Sequence, residues 1–460
     1  MKGLVWLRRD LRLHDQTALS FATKECHEVE LVFIFDKEIL GKLKDKTDKR
    51  VSFIYECLKE IDEKVGIHVL YGDPNIEIPK LFKKIKADKL FFNRDYEPSA
   101  LKRDATVMKS ISKVASYKDS VFFEPHEVLK NDGKPYTVFT PFKKKWLERF
   151  NNLGKNVSDF KVKKSKIKRP TQKFNEKIFK KIGFTYNPAI FKGGESFAKS
   201  ELKKFEKKID RYDECRDFPS VDGTSNLSVY IRHGCLSIRE LINFSLKDSN
   251  KGRDIWLSEL IWREFYQMIL AQFPKTIKNC FKEKYERIDW RGGSKEFRAW
   301  REGKTGFPIV DAAMRCLNET GTMPNRLRMV TASFLCKTLL VDYKKGEKYF
   351  AEKLLDFDLA ANNGGWQWSS STGCDSQPYF RIFNPYTQSE KFDGDGIFIK
   401  QWCPELRGFS SKKIHSPADA DMIEQSEASC RIGVDYPYPV VDYKRKREEA
   451  MKMYKEGIST

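Results

Sequence analysis

Asp356-Phe-Asp-Leu-Ala-Ala-Asn-Asn-Gly-Gly-Trp-Gln-Trp368 sets two carboxylates, a small Ala pair, two side-chain amides, a glycine pair and two indoles in one short stretch. Gly364 and Gly365 are expected to break a helix and to let backbone or ligand approach closely. Asn362 and Asn363 offer donors and acceptors to a polar ring edge. Trp366 and Trp368 add flat, oxidisable surfaces. The set suits a large planar heteroaromatic ligand held at its edge and flanked by indoles. A helix C-terminus capped by glycine and packed with tryptophan is the other reading of the same spacing.

Working outward, Asn325-Arg-Leu-Arg-Met329 follows Thr322-Met-Pro. Pro324 suits a helix start, which puts Asn325 and Arg326 in a first turn. Arg326 is suited to a phosphate. Arg328 is suited to a carboxylate such as Asp356 or Asp358. Solvent exposure of at least one arginine is the plainer alternative. Glu259, Trp262, Arg263 and Tyr266 lie three or four residues apart and share one helix face. An acid, an indole and a phenol side by side can stack on a base and hydrogen-bond its edge. A core tryptophan beside a surface ion pair would give the same pattern. Gly223-Thr-Ser-Asn-Leu-Ser228 precedes a helix expected to start near Val229, as a phosphate site or an ordinary N-cap. From Glu201 onward the chain reads as helical. Leu257, Leu260, Ile261, Phe265, Met268 and Ile269 recur at helical spacing through 255–273, and Thr331 to Tyr343 reads as another apolar helix.

The N-terminal part differs. Leu4 to Leu7, Glu30 to Phe35, His68 to Tyr71 and Lys89 to Phe92 are apolar runs, with helical patterns at Arg50 to Val65 and Ile76 to Ile85 between them. The alternation predicts a parallel sheet with helices on both faces, Rossmann-like in outline. No Gly-x-Gly-x-x-Gly follows the first strand, so the usual dinucleotide fingerprint is missing. The expected organisation is an α/β domain over 1–130, a basic connector over 131–197 and an all-α domain over 198–460.

The formal charge of +21 favours a polyanionic partner, and the 13% aromatic content turns that preference toward nucleic acid. A lysine-rich surface without such a partner is the bland alternative. The ten cysteines include no Cys-x-x-Cys pair, and the six histidines have no ligand spacing. Free, mostly buried thiols and no metal are expected. No apolar run is long enough to span a membrane, and the N-terminus meets charge at once, which argues against a secretory signal. The default compartment is the cytosol.

Longer motifs carry a resemblance. Leu4-Val-Trp-Leu-Arg-Arg-Asp-Leu-Arg-Leu-His-Asp15, Val138-Phe-Thr-Pro-Phe142, Thr224 to Ser228, Trp256 to Tyr266, Glu302-Gly-Lys-Thr-Gly-Phe-Pro-Ile-Val-Asp-Ala-Ala-Met-Arg315 and Ala360 to Trp368 together span nearly the whole chain. In these the chain resembles the photolyase–cryptochrome flavoproteins, most closely the bacterial class I cyclobutane pyrimidine dimer photolyases. The resemblance implies an α/β antenna domain, a connector and a helical domain that holds FAD.

Residue by residue, it assigns Tyr212, Thr224, Ser225, Asn226, Leu227 and Ser228 to the ribityl-phosphate part of FAD. Asp356, Phe357 and Asp358 fall along the flavin and adenine with Arg328 beside them, and Asn362 faces flavin N5. Glu259, Trp262, Tyr266, Asn325, Arg326, Met329, Trp368 and Gln388 match the pocket for a flipped dimer or its DNA, with Arg216 and Arg263 as further DNA contacts. The implied reaction is redox-neutral: blue light drives one electron from reduced anionic FAD to the dimer, the ring opens and the electron returns. The implied partner is damaged DNA, single- or double-stranded and sequence-independent, met by a monomer without a membrane. A cryptochrome-type receptor without repair is the rival. Asn362, the Glu259–Trp262 pair and the lack of a long tail favour repair.

The chain departs from the family pattern in places. Trp366 and Trp290 match the inner and outer members of the flavin-reducing tryptophan chain, but Tyr343 stands at the middle position. Thr322-Met-Pro replaces the usual Trp-Met-His before Asn325, and the histidine pair of (6-4) photolyases has no counterpart. Ser99 and Ala100 stand where folate-binding members carry Asn-Glu, and Ile277 precedes the retained Lys278. A methenyltetrahydrofolate antenna, a deazaflavin or none therefore remain open.

Overall fold

The computed structural model describes residues 1–154, 157–171 and 173–459. Residues 155, 156 and 172, within the expected connector, and Thr460 lie outside the described residues. The chain forms two compact units, one of residues 1–210 with 225–274 and the other of residues 211–224 with 275–460.

The first unit is built on a five-stranded parallel sheet. Its strands are β1 (Lys2–Leu7), β2 (Glu28–Asp36), β3 (His68–Gly72), β4 (Lys89–Asn93) and β5 (Val114–Tyr117), in the order β3-β2-β1-β4-β5. Leu4 pairs with Glu30 on one side and Leu90 on the other. Parallel strands covered on both faces read as near-continuous apolar runs, which is why β1, β2 and β4 are legible. Leu4, Trp6, Val32, Ile34, Leu90 and Phe92 point to one face and pack on Ile78, Leu81, Val107 and Ile111 of the helices Pro74–Lys84 and Pro98–Ser110.

The strand order reverses direction between β1 and β4, the place where open α/β sheets usually bind nucleotides. Here side chains fill that crevice. Arg8 forks onto both oxygens of Asp104, at 2.5 and 2.6 Å, and also donates to the Asn93 carbonyl. Arg9 pairs with Glu97 at 2.8 Å. The remaining cavity among Arg8, Asp10, Asn93, Asp95 and Asp119 is about 20 Å³, room for one water.

Beneath it lies a buried ionic cluster. Arg12 Nη2 donates to both oxygens of Asp119 at 2.8 Å, and Arg239 Nη2 reaches the same carboxylate at 3.0 Å. Thr17 adds its backbone N–H at 3.1 Å and its hydroxyl at 2.7 Å. Asp119 is 1% exposed. Burial alone would raise its pKa, but the two guanidiniums and these donors hold the carboxyl down at about 2. Gly234 (φ +67°) passes so close that a Cβ there would lie 2.0 Å from the Arg9 carbonyl oxygen. This keeps the Gly234 carbonyl within 3.1 Å of Arg12 Nη1.

The first unit continues past the sheet into helices. The longest, Lys251–Gln272, is capped by Asn250 and buries Trp256, Leu257, Leu260, Ile261, Phe265, Met268 and Ile269. Glu264 is buried on it and accepts from Trp146 Nε1 at 2.7 Å, Phe123 N at 3.2 Å and Phe122 N.

The second unit is helical around Trp300, Phe307, Met314, Leu335, Phe350, Trp366, Ile399 and Tyr454. Two expectations need correction here. Gly364 and Gly365 do not break a helix; they lie inside helix Leu359–Ser369, which Asp358 caps by accepting from Ala361 N at 3.1 Å. Thr331 to Tyr343 is not one helix either. Helix Asn325–Lys337 stops, Leu340 turns with φ +58°, and Asp342 caps a new helix, Tyr343–Lys353. The apolar pattern continues across the break because both sides face one core. All ten cysteines are free, eight of them buried. Among the described residues no helix is long and apolar enough to cross a membrane.

Candidate functional site

In the first unit, Glu259, Trp262, Arg263 and Tyr266 lie on helix Lys251–Gln272, all partly buried. The Trp262 ring stacks on Phe139 with centroids 3.6 Å apart and planes at 9°. Phe265 meets it edge-on at 5.5 Å, and Tyr266 leans on it at 5.4 Å. One indole face is thus backed by a rigid ring and its edges are held. Arg263 Nη1 donates to the Ser120 carbonyl at 2.6 Å, which ties this helix face to the loop after β5. Ser225, Asn226, Leu227 and Ser228 also belong to this unit. Leu227 N donates to Ser225 Oγ at 3.3 Å, Asn226 takes φ +54°, and the short helix Ser228–His233 follows.

In the second unit, Arg328 bridges Asp356 Oδ2 at 2.8 Å and the Met323 carbonyl at 2.8 Å. The predicted pairing with Asp356 is present; Asp358 is used as a helix cap instead. Asp356 Oδ1 is buried and accepts no hydrogen bond among the described residues. A buried carboxylate oxygen left without a donor is costly, so it suits the ring N–H of a bound ligand. Asn362 Nδ2 donates to the Glu347 carbonyl at 3.0 Å. That carbonyl can only accept, so the amide oxygen of Asn362 is the end left for a ligand. A carboxylate with one oxygen held by arginine and the other left for a ligand, together with an amide oxygen left for a ligand, fits the edge of a flavin.

The second unit also holds other predicted residues. Arg326 pairs with Asp217, and its guanidinium lies 4.4 Å over the Phe392 ring. Arg216 lies 5.2 Å over the Tyr212 ring. Asn325 Nδ2 is 3.8 Å from Met329 Sδ, and Asn325 is exposed at its helix start. Gln388 Oε1 is buried without a hydrogen-bond partner among the described residues, while Phe357 and Trp368 are half-buried. Thr224 falls in the second unit although its neighbour Ser225 falls in the first.

Of the electron-transfer set, Tyr343 and Trp290 meet at 6.3 Å. Trp366 is 2% exposed and contacts Phe350 at 5.0 Å and Trp300 at 6.0 Å. The Tyr343 helix reaches it through Gly346, where a Cβ would lie 2.2 Å from Trp366. Sequence reading missed Phe139 as the backing of Trp262, Asp217 as the partner of Arg326, and Glu347 behind Asn362. Phe139 sits in the quoted Val138-Phe-Thr-Pro-Phe142 motif, which was its only signal.

With this geometry in hand, comparison with known proteins places the chain. The family model described as the FAD binding domain of DNA photolyase matches residues 256–456, and that described as DNA photolyase matches residues 3–163. The chain belongs to the DNA photolyase family. It is 38% identical to the deoxyribodipyrimidine photo-lyase of Escherichia coli, over 98% of each chain. A bacterial class III photolyase from Agrobacterium tumefaciens has a similar solved structure, with a TM-score of 0.91 at 32% identity over 100% of this chain and 98% of that one. A Synechocystis cryptochrome reaches a TM-score of 0.85 at 27% identity, covering 98% of this chain and 99% of its own, so the fold is common to photolyases and a cryptochrome.

Proposed function

We propose that the chain uses FAD and blue light to repair cyclobutane pyrimidine dimers in DNA. The observation that carries this reading over a receptor without repair is the Glu259–Trp262 face, where an indole backed by Phe139 stands beside a carboxylate. Bound FAD in its reduced form supplies the electron that light drives onto the dimer. The chain's own residues bind and orient. Trp262 offers its open face to the lesion, Glu259 hydrogen-bonds the pyrimidine edge, and Tyr266 steadies the indole. Asn325 and Met329 complete the lesion contacts.

Asn362 presents its amide oxygen toward flavin N5, and Asp356, Phe357, Asp358 and Arg328 line the cofactor. Tyr212 and Thr224 to Ser228 hold its ribityl-phosphate part. Arg216, Arg263, Arg326, Trp368 and Gln388 meet the DNA. The net charge of +21 adds sequence-independent attraction to phosphate. A dimer is already poorly stacked, so flipping it costs less than flipping a normal base. The protein works as a monomer in the cytosol.

The test is direct. Anaerobically reduced protein is mixed with an oligonucleotide carrying one thymine dimer and held in blue light or darkness. Light-dependent recovery of intact thymines is expected; none, with FAD bound and reduced, overturns the reading. In the same assay Trp262→Ala is expected to weaken binding to the dimer oligonucleotide by about tenfold to a hundredfold, since a stacked base contributes roughly 1–3 kcal/mol. Asp356→Ala is expected to lower FAD affinity by about tenfold or more, from losing a charge-assisted bond worth roughly 1.5–3 kcal/mol. The flavin-to-protein absorbance ratio of the purified variant measures it.

A further inference from the structure

Behind Asn362 lies a half-buried carboxylate that none of the roles above uses. Glu347 sits four residues after Tyr343 on helix Tyr343–Lys353. Its backbone carbonyl accepts Asn362 Nδ2, and its Oε1 accepts Asn363 Nδ2, each at 3.0 Å. Asn363 Nδ2 also donates to the Thr276 carbonyl at 3.0 Å. Gln367 Nε2 reaches Thr276 O at 2.9 Å and Asn279 O at 3.1 Å, and Gln367 Oε1 accepts Phe281 N at 2.9 Å. Glu347 thus anchors both asparagines of the pair while helix Leu359–Ser369 is bolted to the 276–281 segment. Among the described residues its carboxyl accepts one hydrogen bond and forms no ion pair.

We propose that Glu347 is a positioning residue for the flavin: it fixes Asn362 with the amide oxygen outward, and it takes up a proton when the cofactor is reduced to its anion, so that the site favours that state. The proposal rests on the reading of FAD and Asn362 given above. The balance is simple. Reduction to the anion consumes two electrons from an external reductant and one proton at the ring. The proton on Glu347 is a further one, drawn from solvent and released on reoxidation.

The surroundings set its affinity for that proton. On its own helix Lys344 favours the carboxylate and Asp342 opposes it. Lys344 is shared with Glu286 at 3.5 Å, which weakens its pull. Among the described residues no charged group besides Lys344 and Asp342 acts on the carboxyl, the lysines of the 280–286 segment included. Helix Leu359–Ser369 brings only the Asn363 amide to the carboxyl. Burial therefore dominates and pushes the carboxyl up to about 7. An anion on the flavin pushes it higher, and by linkage an ionised Glu347 disfavours the anionic flavin to the same degree.

The experiment is a titration of the flavin midpoint potential from about pH 5.5 to about pH 9 in the wild type and in Glu347→Gln, whose amide oxygen still accepts from Asn363. The wild type is expected to bend above neutrality to one further proton per two electrons, and the variant to lack that bend. Infrared difference spectra of the wild type need no variant, and are expected to gain a protonated-carboxyl band on reduction above neutral pH. Bound flavin with the same slope in both proteins, or no such band in the wild type, overturns the proposal and leaves the FAD reading standing. A protein that takes up no FAD overturns both.

Discussion

Asp119→Ala is expected to destabilise the first compact unit by about 3–5 kcal/mol, the usual loss when one partner of a buried ion pair is removed. Arg12 and Arg239 would both be left without this carboxylate, and Arg12 is 2% exposed. Thr17 would lose the acceptor for its hydroxyl and its N–H. Urea unfolding followed by tryptophan fluorescence measures the change; a loss under about 1 kcal/mol would mean that the cluster is not a structural staple.

The same group gives a pH signature. Its folded pKa, about 2, lies below the ordinary 3.8. A depressed acid stabilises the fold above the unfolded pKa and loses that contribution as pH falls through the folded one. The wild type is therefore expected to lose about 2 kcal/mol between roughly pH 4 and pH 2 from this carboxyl. Asp10, beside it, is shifted up by burial and by the Asp119 charge, and acts in the opposite sense.

Tyr343→Trp is expected to speed photoreduction of the bound flavin by about tenfold or more, equivalent to roughly 1.4 kcal/mol of barrier. Tyrosine is hard to oxidise unless its proton can leave. Tyr343 is 1% exposed, and its hydroxyl lies 3.7 Å from Cys280 Sγ. Burial pushes both the phenol and the thiol up, so neither is a base for the other. Tryptophan can pass an electron before losing a proton, and Trp290 already lies 6.3 Å from this position. The larger ring is expected to cost about 1–3 kcal/mol in packing, so flavin content is measured alongside. Illumination with an external donor, read by the fading of oxidised-flavin absorbance, gives the rate. Unchanged kinetics would remove Tyr343 as a bottleneck, while repair by chemically reduced protein is expected to be unaffected.

Residues whose neighbours follow from spacing or from opposite charge were legible before the fold was known. The strands β1 to β4, the long Lys251–Gln272 helix and the Arg328–Asp356 pair are of this kind. The fifth strand escaped because Val-Ala-Ser-Tyr at 114–117 is short and sits at the sheet edge, half-buried, without an apolar run. Gly364 and Gly365 read as helix breakers, yet the Asp358 cap and the buried Asn363 and Gln367 bonds hold the helix through them. Glu347 reads as one charge in a solvated Lys-Lys-Gly-Glu-Lys run. Only the turn at Leu340 and the new helix start at Asp342 rotate it inward. Thr224 and Ser225 are neighbours in sequence, yet they belong to different compact units, a division no local signal announces.

Glu264 bears on the cost of recognition. It clamps the Lys251–Gln272 helix to the Phe122–Phe123 backbone and to Trp146, two residues along from Trp262. Burial shifts its pKa upward, and three donors offset part of that penalty. The helix bearing Trp262 is therefore ordered while the chain folds, not when a lesion arrives. Side chains and loops that must be immobilised on contact each subtract from affinity. A reading surface set in place beforehand subtracts little, which leaves more of its attraction to oppose the unstacking of a damaged base.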